Sequence, residues 1–178
     1  MKNEKSLRIP FVIRPLLQGE IGLVERHLPF DDAAPGRYYD YFALQLAGEG
    51  VSLIAWQAGL PAGHALLRWQ GTTREPMASQ LRDCPHLSAL LVHPDSRSRG
   101  IGTRVMEAVE TLAFQRGYRR IGLNVDIENA RARALYTRRG YREAGFAAQT
   151  TRRSYLDLRG YSHIVEATCI YLIKPLAR

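Results

Sequence analysis

The chain of 178 residues is 46% apolar and reads as one domain, 1–178, large enough to bury roughly two thirds of its unfolded surface. Its formal net charge is +8, and all of the excess lies between residues 97 and 153, where 13 arginines face 5 acids; the other 12 basic and 12 acidic residues balance. Cys84 and Cys169 form neither a C-x-x-C pair nor a cluster with metal-ligand spacing, so reduced structural thiols are expected in preference to a disulfide, a zinc site or a nucleophile, and no metal is expected. The apolar patch at residues 9–13 is cut off by Arg14, and the apolar run 164–173 is interrupted by Glu166. Neither a signal-peptide core nor a membrane span is expected, and the reading is a cytoplasmic protein with no membrane partner.

In chain order, residues 11–14 read as a strand, and Leu17, Ile21, Val24 and Leu28 recur at helical spacing, which predicts a helix over 16–28. A turn-rich stretch at 29–36 precedes a second helix over 36–48, carried by Tyr38, Tyr41, Phe42 and Leu46. Strands at 51–57 and 62–69 flank Ala58-Gly59-Leu60-Pro61, a hairpin signal. A polar loop over 71–83 leads into an apolar strand at 87–92. Ile101, Val105, Ala108, Val109 and Leu112 then mark the buried stripe of a helix that Gly117 is placed to end. A strand over 121–127, a helix over 130–139 stopped by Gly140, and strands near 141–148 and 165–174 follow, with 158–162 as an inserted loop or hairpin tip. The alternation of strand and helix from 87 to 139 implies a parallel crossover and an α/β fold with a central mixed sheet flanked by helices. Ligands of such sheets gather at the carboxyl ends of the parallel strands.

That position is held by Val92-His93-Pro94-Asp95-Ser96-Arg97-Ser98-Arg99-Gly100-Ile101-Gly102-Thr103. Free N–H groups at a helix start, with the positive end of the helix dipole behind them, hold phosphate oxygens, and glycines let the ligand approach the main chain. The spacing excludes two other phosphate loops. A dinucleotide fingerprint needs a third glycine where Val105 stands, and a P-loop needs a Gly-Lys-Ser/Thr that is absent. The arginine excess suits a ligand with several phosphate charges, while Arg131, Arg133, Arg138 and Arg139 taken singly read as solvated helix faces. A second constellation, Asn129-x-x-Ala132-x-x-Leu135-Tyr136-x-x-x-Gly140-Tyr141, follows the strand over 121–127.

Arg97-x-x-Gly100-x-Gly102 after a strand resembles the acyl-CoA pyrophosphate loop of the GNAT superfamily of N-acetyltransferases, and the motif from Asn129 to Tyr141 stands where that family has its second. The resemblance is close over residues 87–141 and architectural elsewhere. It implies a GNAT-like fold, acetyl-CoA as cofactor, and direct acetyl transfer to a primary amine of a small molecule or a protein; no residue looks like an acyl-carrying nucleophile. By the same resemblance the strands at 87–92 and 121–127 splay to admit pantetheine along the main chain of Leu90, Leu91 and Val92. Arg97, Ser98, Arg99, Gly100, Ile101, Gly102 and Thr103 then receive the pyrophosphate. Asn129 reads equally as a contact to that arm and as a helix N-cap. Tyr136 matches the family's general acid, a phenol that stays protonated at neutral pH and faces a leaving thiolate; the alternative is a plain core tyrosine.

Many members of that family carry a glutamate on the strand leading to the glycine loop, but His86-Leu87-Ser88-Ala89-Leu90 holds no acid. His86 is the candidate proton relay, with His64 on the neighbouring hairpin behind it. The acceptor pocket is expected from Phe30, Asp31 and Tyr38, with Asp32, Asp40, Tyr39, Tyr41 and Phe42, and from Tyr155 with Asp157 and Tyr161. Acids interleaved with aromatics suit a cationic amine. Two rivals stand beside this reading: a non-catalytic acyl-CoA-binding regulatory module on the same fold, and a nucleic-acid binder. The second lacks a recognition motif and stacking aromatics, so no nucleic-acid partner is expected. A homodimer is compatible with the leading reading.

Overall fold

In the computed structural model, which describes residues 11–30, 36–156 and 159–177, the chain opens with β1 (Phe11–Pro15) at one edge of a mixed sheet. Where one long helix is expected, a 3-10 turn (Gln18–Glu20) precedes α1 (Ile21–His27). The cause is local: the Glu20 carboxylate is held by the Arg14 guanidinium and accepts the Leu17 N–H, which delays the first α-turn. α2 (Arg37–Leu46) starts after Gly36, whose φ of +93° suits glycine. β2 (Gly50–Gln57) and β3 (Leu60–Arg68) form the expected hairpin and are buried along most of their length. Within the expected polar loop the buried Met77 anchors a single helical turn, α3 (Met77–Gln80).

β4 (His86–Val92), α4 (Ile101–Gln115) and β5 (Arg120–Asp126) make the parallel crossover, and α5 (Ala130–Arg138) follows. The last strands depart from expectation. In place of a strand over 141–148 there is only β6 (Arg142–Glu143), because Gly145 at φ +82° breaks the extended run. Pairing resumes with β7 (Gln149–Leu156), the hairpin partner of a 14-residue β8 (Ser162–Pro175). Residue 158 of the expected hairpin tip lies outside the described residues, as does residue 157 before it. The sheet runs β1-β2-β3-β4-β5-β8-β6, with β7 also on β8.

Helices cover both faces. On one, α4 and α5 pack through Ile101, Val105, Met106, Val109 and Tyr136 against Leu87, Leu123 and Leu172. On the other, Leu16, Ile21, Val24, Leu28 and Tyr38 gather around Ile54. Each fully buried aliphatic side chain of this kind contributes about 1.5–3 kcal/mol. β4 and β5 are in register only at His86–Gly122 and Leu87–Leu123. Beyond that the strands part, and the second half of β4 faces a gap where a neighbouring strand would lie. Among the described residues no helix is long and apolar enough to cross a membrane.

Candidate active site

The gap opens onto a cleft of about 550 Å³ between the end of β4, the loop before α4 and one face of α5. The loop is shaped by Ser98 at φ +62° and Gly100 at φ +83°, and Arg97 Nε closes it by donating to the Val92 carbonyl at 3.2 Å. The bond that enters α4 from the loop runs from Arg104 N–H to Gly100 O, 3.1 Å, so the amides of Ile101, Gly102 and Thr103 precede it at the positive helix end. At Gly102 a Cβ would make only ordinary contacts, with Val92 Cγ2 at 3.5 Å and Leu135 Cδ2 at 3.8 Å.

β4 is not a regular strand. Its register on β3 shifts between His64–Leu91 and Leu66–Ser88, so β4 bulges at Ala89, which takes φ +52°. The Ala89 carbonyl accepts the Nδ1–H of His64 at 3.0 Å, and His64 Nε2 accepts the Ser52 hydroxyl at 2.9 Å. A carbonyl only accepts, which fixes the tautomer. The chain continues from Ser52 N–H to Gln45 Oε1 at 3.1 Å and from Gln45 Nε2 to the Leu16 carbonyl at 2.9 Å. His64 is fully buried, stacked on Tyr41 with centroids 5.3 Å apart, and burial pushes its pKa down to about 3, so it is neutral. Because the peptide is trans, the Leu90 N–H points opposite to the Ala89 carbonyl, and Leu90 lies in the half of β4 that β5 leaves unpaired.

α5 is fastened to α4 by charge. Glu110, buried at 8% exposure, takes Arg139 Nη2 at 2.7 Å and Lys174 Nζ at 2.6 Å, and Arg139 also reaches Glu107 at 3.1 Å. The sequence reading of Arg139 as a solvated face is thereby corrected. Asn129 caps α5, its Oδ1 accepting the Ala132 N–H at 3.0 Å. This holds Tyr136 at the cleft wall, where burial pushes its phenol up to about 12. All the residues expected to hold a cofactor except Arg99 line this cleft. Ser96, Arg131, Ala132, Leu135 and Arg138 line it as well, and Arg131 Nη2 donates to Ser98 Oγ at 3.4 Å. For the four on α5, helical spacing on the face of Tyr136 was the available signal.

A model of the Acetyltransferase (GNAT) family matches residues 21–141 of the chain. The chain belongs to the GNAT acetyltransferases. An uncharacterized N-acetyltransferase, YhfO of Bacillus subtilis (strain 168), is 37% identical over 57 residues, which is 32% of this chain and only 38% of that relative's length. The ribosomal-protein-S18-alanine N-acetyltransferase from Escherichia coli has the same fold, with a TM-score of 0.65 at 20% identity over 95% of this chain and 96% of that one. yncA, a putative acetyltransferase from Salmonella typhimurium solved with its cofactor acetyl-CoA, gives a TM-score of 0.66 at 16% identity over 95% of each chain. The residues of this GNAT cleft fit acetyl-CoA: helix-start amides beside Arg97, Arg131 and Arg138 suit a pyrophosphate, and the unpaired half of β4 suits an amide-bearing arm.

Two expectations about this GNAT site are corrected. His86 sits at the opposite end of β4 from Val92, buried under Tyr171 with ring centroids 5.7 Å apart, and is not in the cleft. Burial first, then the charges of Arg68 and Arg74, push its pKa down to about 4, too low for a relay near neutrality. Among the described residues the acidic and aromatic acceptor pocket is not assembled either. The Tyr38 ring is buried and its hydroxyl donates to the Leu28 carbonyl at 2.9 Å, while Phe30 packs on it at 5.5 Å and Tyr41 on His64, so these rings brace the core beneath α1 and α2. Asp40 is exposed on α2, and Tyr155 stacks on His163 in the β7–β8 hairpin. Asp31, Asp32 and Asp157 lie outside the described residues.

Proposed function

We propose that this chain is an acetyl-CoA-dependent N-acetyltransferase that transfers the acetyl group directly to a primary amine. The observation that carries the reading is convergence at one gap in the sheet: an open strand edge, a helix start ringed by arginines and a buried phenol line a single cleft. Bound there, acetyl-CoA supplies an activated acyl group: the amine N–C bond forms as the thioester C–S bond breaks, and the proton lost by the amine ends on sulfur. The amides of Ile101, Gly102 and Thr103, with Arg97, Arg131 and Arg138, would hold the phosphates. The Leu90 N–H, set by the bulge, is a preorganised donor for oxyanion charge developing in the gap, the type of group whose loss costs about 10²–10³ in rate. Tyr136 holds a proton at Oη and, kept neutral by burial, donates a hydrogen bond toward the end of the cleft.

Thermal shift and thiol release test this together. A ligand at a hundredfold excess over Kd should raise Tm by about 5–10 °C in a chain of this size. Gly102→Asp should abolish the shift while the protein stays folded, because a Cβ at that position makes only ordinary contacts. No shift with wild type at millimolar acetyl-CoA would remove the cofactor assignment. A shift without thiol release across a broad amine panel would reassign the chain to the binding-only module.

A further inference from the structure

On the sheet face opposite α4 and α5, the floor beside the gap is cationic. His86 is in register with Arg68 of β3 and with Gly122 of β5. Tyr171 of β8 lies flat over Gly122, where a side chain would collide with its ring, and its hydroxyl comes within 3.4 Å of His86 Nδ1. The loop before β4 closes over this floor, tied to β7 where Gln149 Nε2 donates to the Glu75 carbonyl. Arg74 comes from that loop, so the charges of two guanidinium groups act on His86 from different elements. Neither has a side-chain hydrogen bond or ion pair among the described residues, and Arg68 Nε and Arg74 Nη1 are fully buried without an acceptor. The nearby Glu75 carboxylate does not answer them; its Oε2 accepts the Ser79 N–H at 3.2 Å.

Two part-buried cations with unanswered N–H groups are costly to fold, and an oxyanion that bridges them relieves both the desolvation and the repulsion. Their position relative to the gap suggests what that anion belongs to. Along β4, strand rise sets Ser88 about 7 Å and Leu90 about 13 Å from His86. Ser88 and Asn124 are half-buried on the same face and connect the arginines to the gap.

We propose that Arg68 and Arg74 form the anion-binding half of the acceptor site and that the acceptor is a small amine carrying its own carboxylate. This rests on the N-acetyltransferase reading and names its substrate class. It also answers the absence of an acid on β4. Two positive charges against one carboxylate leave a net positive field at the acceptor nitrogen, which disfavours the ammonium form and supplies the neutral amine without a carboxylate base. A purely cationic amine, the acceptor expected from the aromatic and acidic segments, is repelled by the same field.

The test compares glycine, β-alanine, 4-aminobutyrate, 6-aminohexanoate and the common L-amino acids with their carboxamides, by thiol release and by thermal shift in the presence of CoA. Expected is at least one acid with kcat/KM about tenfold or more above its amide, the difference lying in KM. That acid should stabilise wild type, and both effects should collapse in Arg68→Met and Arg74→Met. Arg→Lys at either position should restore them only partly, because a lysine lacks the planar fork. Without ligand, the Met variants should melt at or above wild type, as expected when an unpaired charge is removed; a lower Tm would mark the arginines as structural and overturn the proposal. A preference for amides, or an acid preference that survives both replacements, overturns it too. In those cases an intact acetyl-CoA shift and turnover of the amides would leave the N-acetyltransferase reading standing, whereas loss of the shift as well would remove both.

Discussion

In the proposed reaction Tyr136 serves packing and chemistry with different atoms of one side chain. Its ring belongs to the cluster between α5 and the sheet, beside Tyr141 at a centroid distance of 5.9 Å, and the residue also lines the cleft. Burial that raises the phenol to about 12 makes it a poor source of net charge and a dependable donor. Tyr136→Phe therefore keeps the ring contacts and removes the donor. It should lower kcat by about 10²–10⁴-fold, the range for loss of a positioned acid. Acetyl-CoA affinity, read by thermal shift, should change by less than about threefold, since the proposed cofactor contacts are mainly loop and strand atoms. An unchanged kcat in a chemistry-limited assay would return Tyr136 to the core.

At the scale of elements, β4 matters because it is interrupted. An alanine at φ +52° is held there from outside, by a histidine on β3 that is itself held by Ser52 on β2 and, through Gln45, by α2. Removing the donor frees the Ala89 carbonyl to rotate, and the Leu90 N–H with it. His64→Phe fills the same aromatic nest but cannot donate, and kcat should fall on the order of 10²-fold, as for a small misplacement of reacting groups. Ser52→Ala leaves the bond to Ala89 in place and should cost much less. Equal losses in the two variants would mean that packing around His64, and not the bulge, is what the site needs. This device was not legible in the sequence, since nothing in Leu87-Ser88-Ala89-Leu90 departs from a plain strand and the partner is 25 residues away. Gly100 and Asn129 were legible because a positive φ before a helix and a side-chain N-cap are local demands that residue type announces. The pairing of Arg139 with Glu107 and Glu110, and the burial of Tyr38, depend on which helices meet, so residue type alone misled.

Across the whole molecule, the fold confines two histidines as neutral groups, and this sets how its stability depends on pH. His64 is held down to about 3 and His86 to about 4, in both cases first by burial. Unfolded, each titrates near 6.5. Above that value neither state binds the proton and the full stability is present; as pH falls from 6.5 toward the folded values, the unfolded chain takes up protons that the native state refuses, and stability declines. The ion pair of Arg14 with Glu20 acts lower. Its carboxyl is depressed from 4.5 chiefly by the hydrogen bond from Arg14, so it contributes above that value and fades only below it. The window from pH 6.5 to 4.5 therefore isolates the histidines. Between pH 6.5 and 5.5 two such groups cost on the order of 2 kcal/mol, or about 4–8 °C in Tm. His86→Phe, which preserves a ring against Tyr171, should roughly halve that slope, and its effect should fade only as pH falls through about 4, where folded His86 itself takes up the proton. A slope identical to wild type would mean that His86 takes up its proton in the folded state as readily as in the unfolded one.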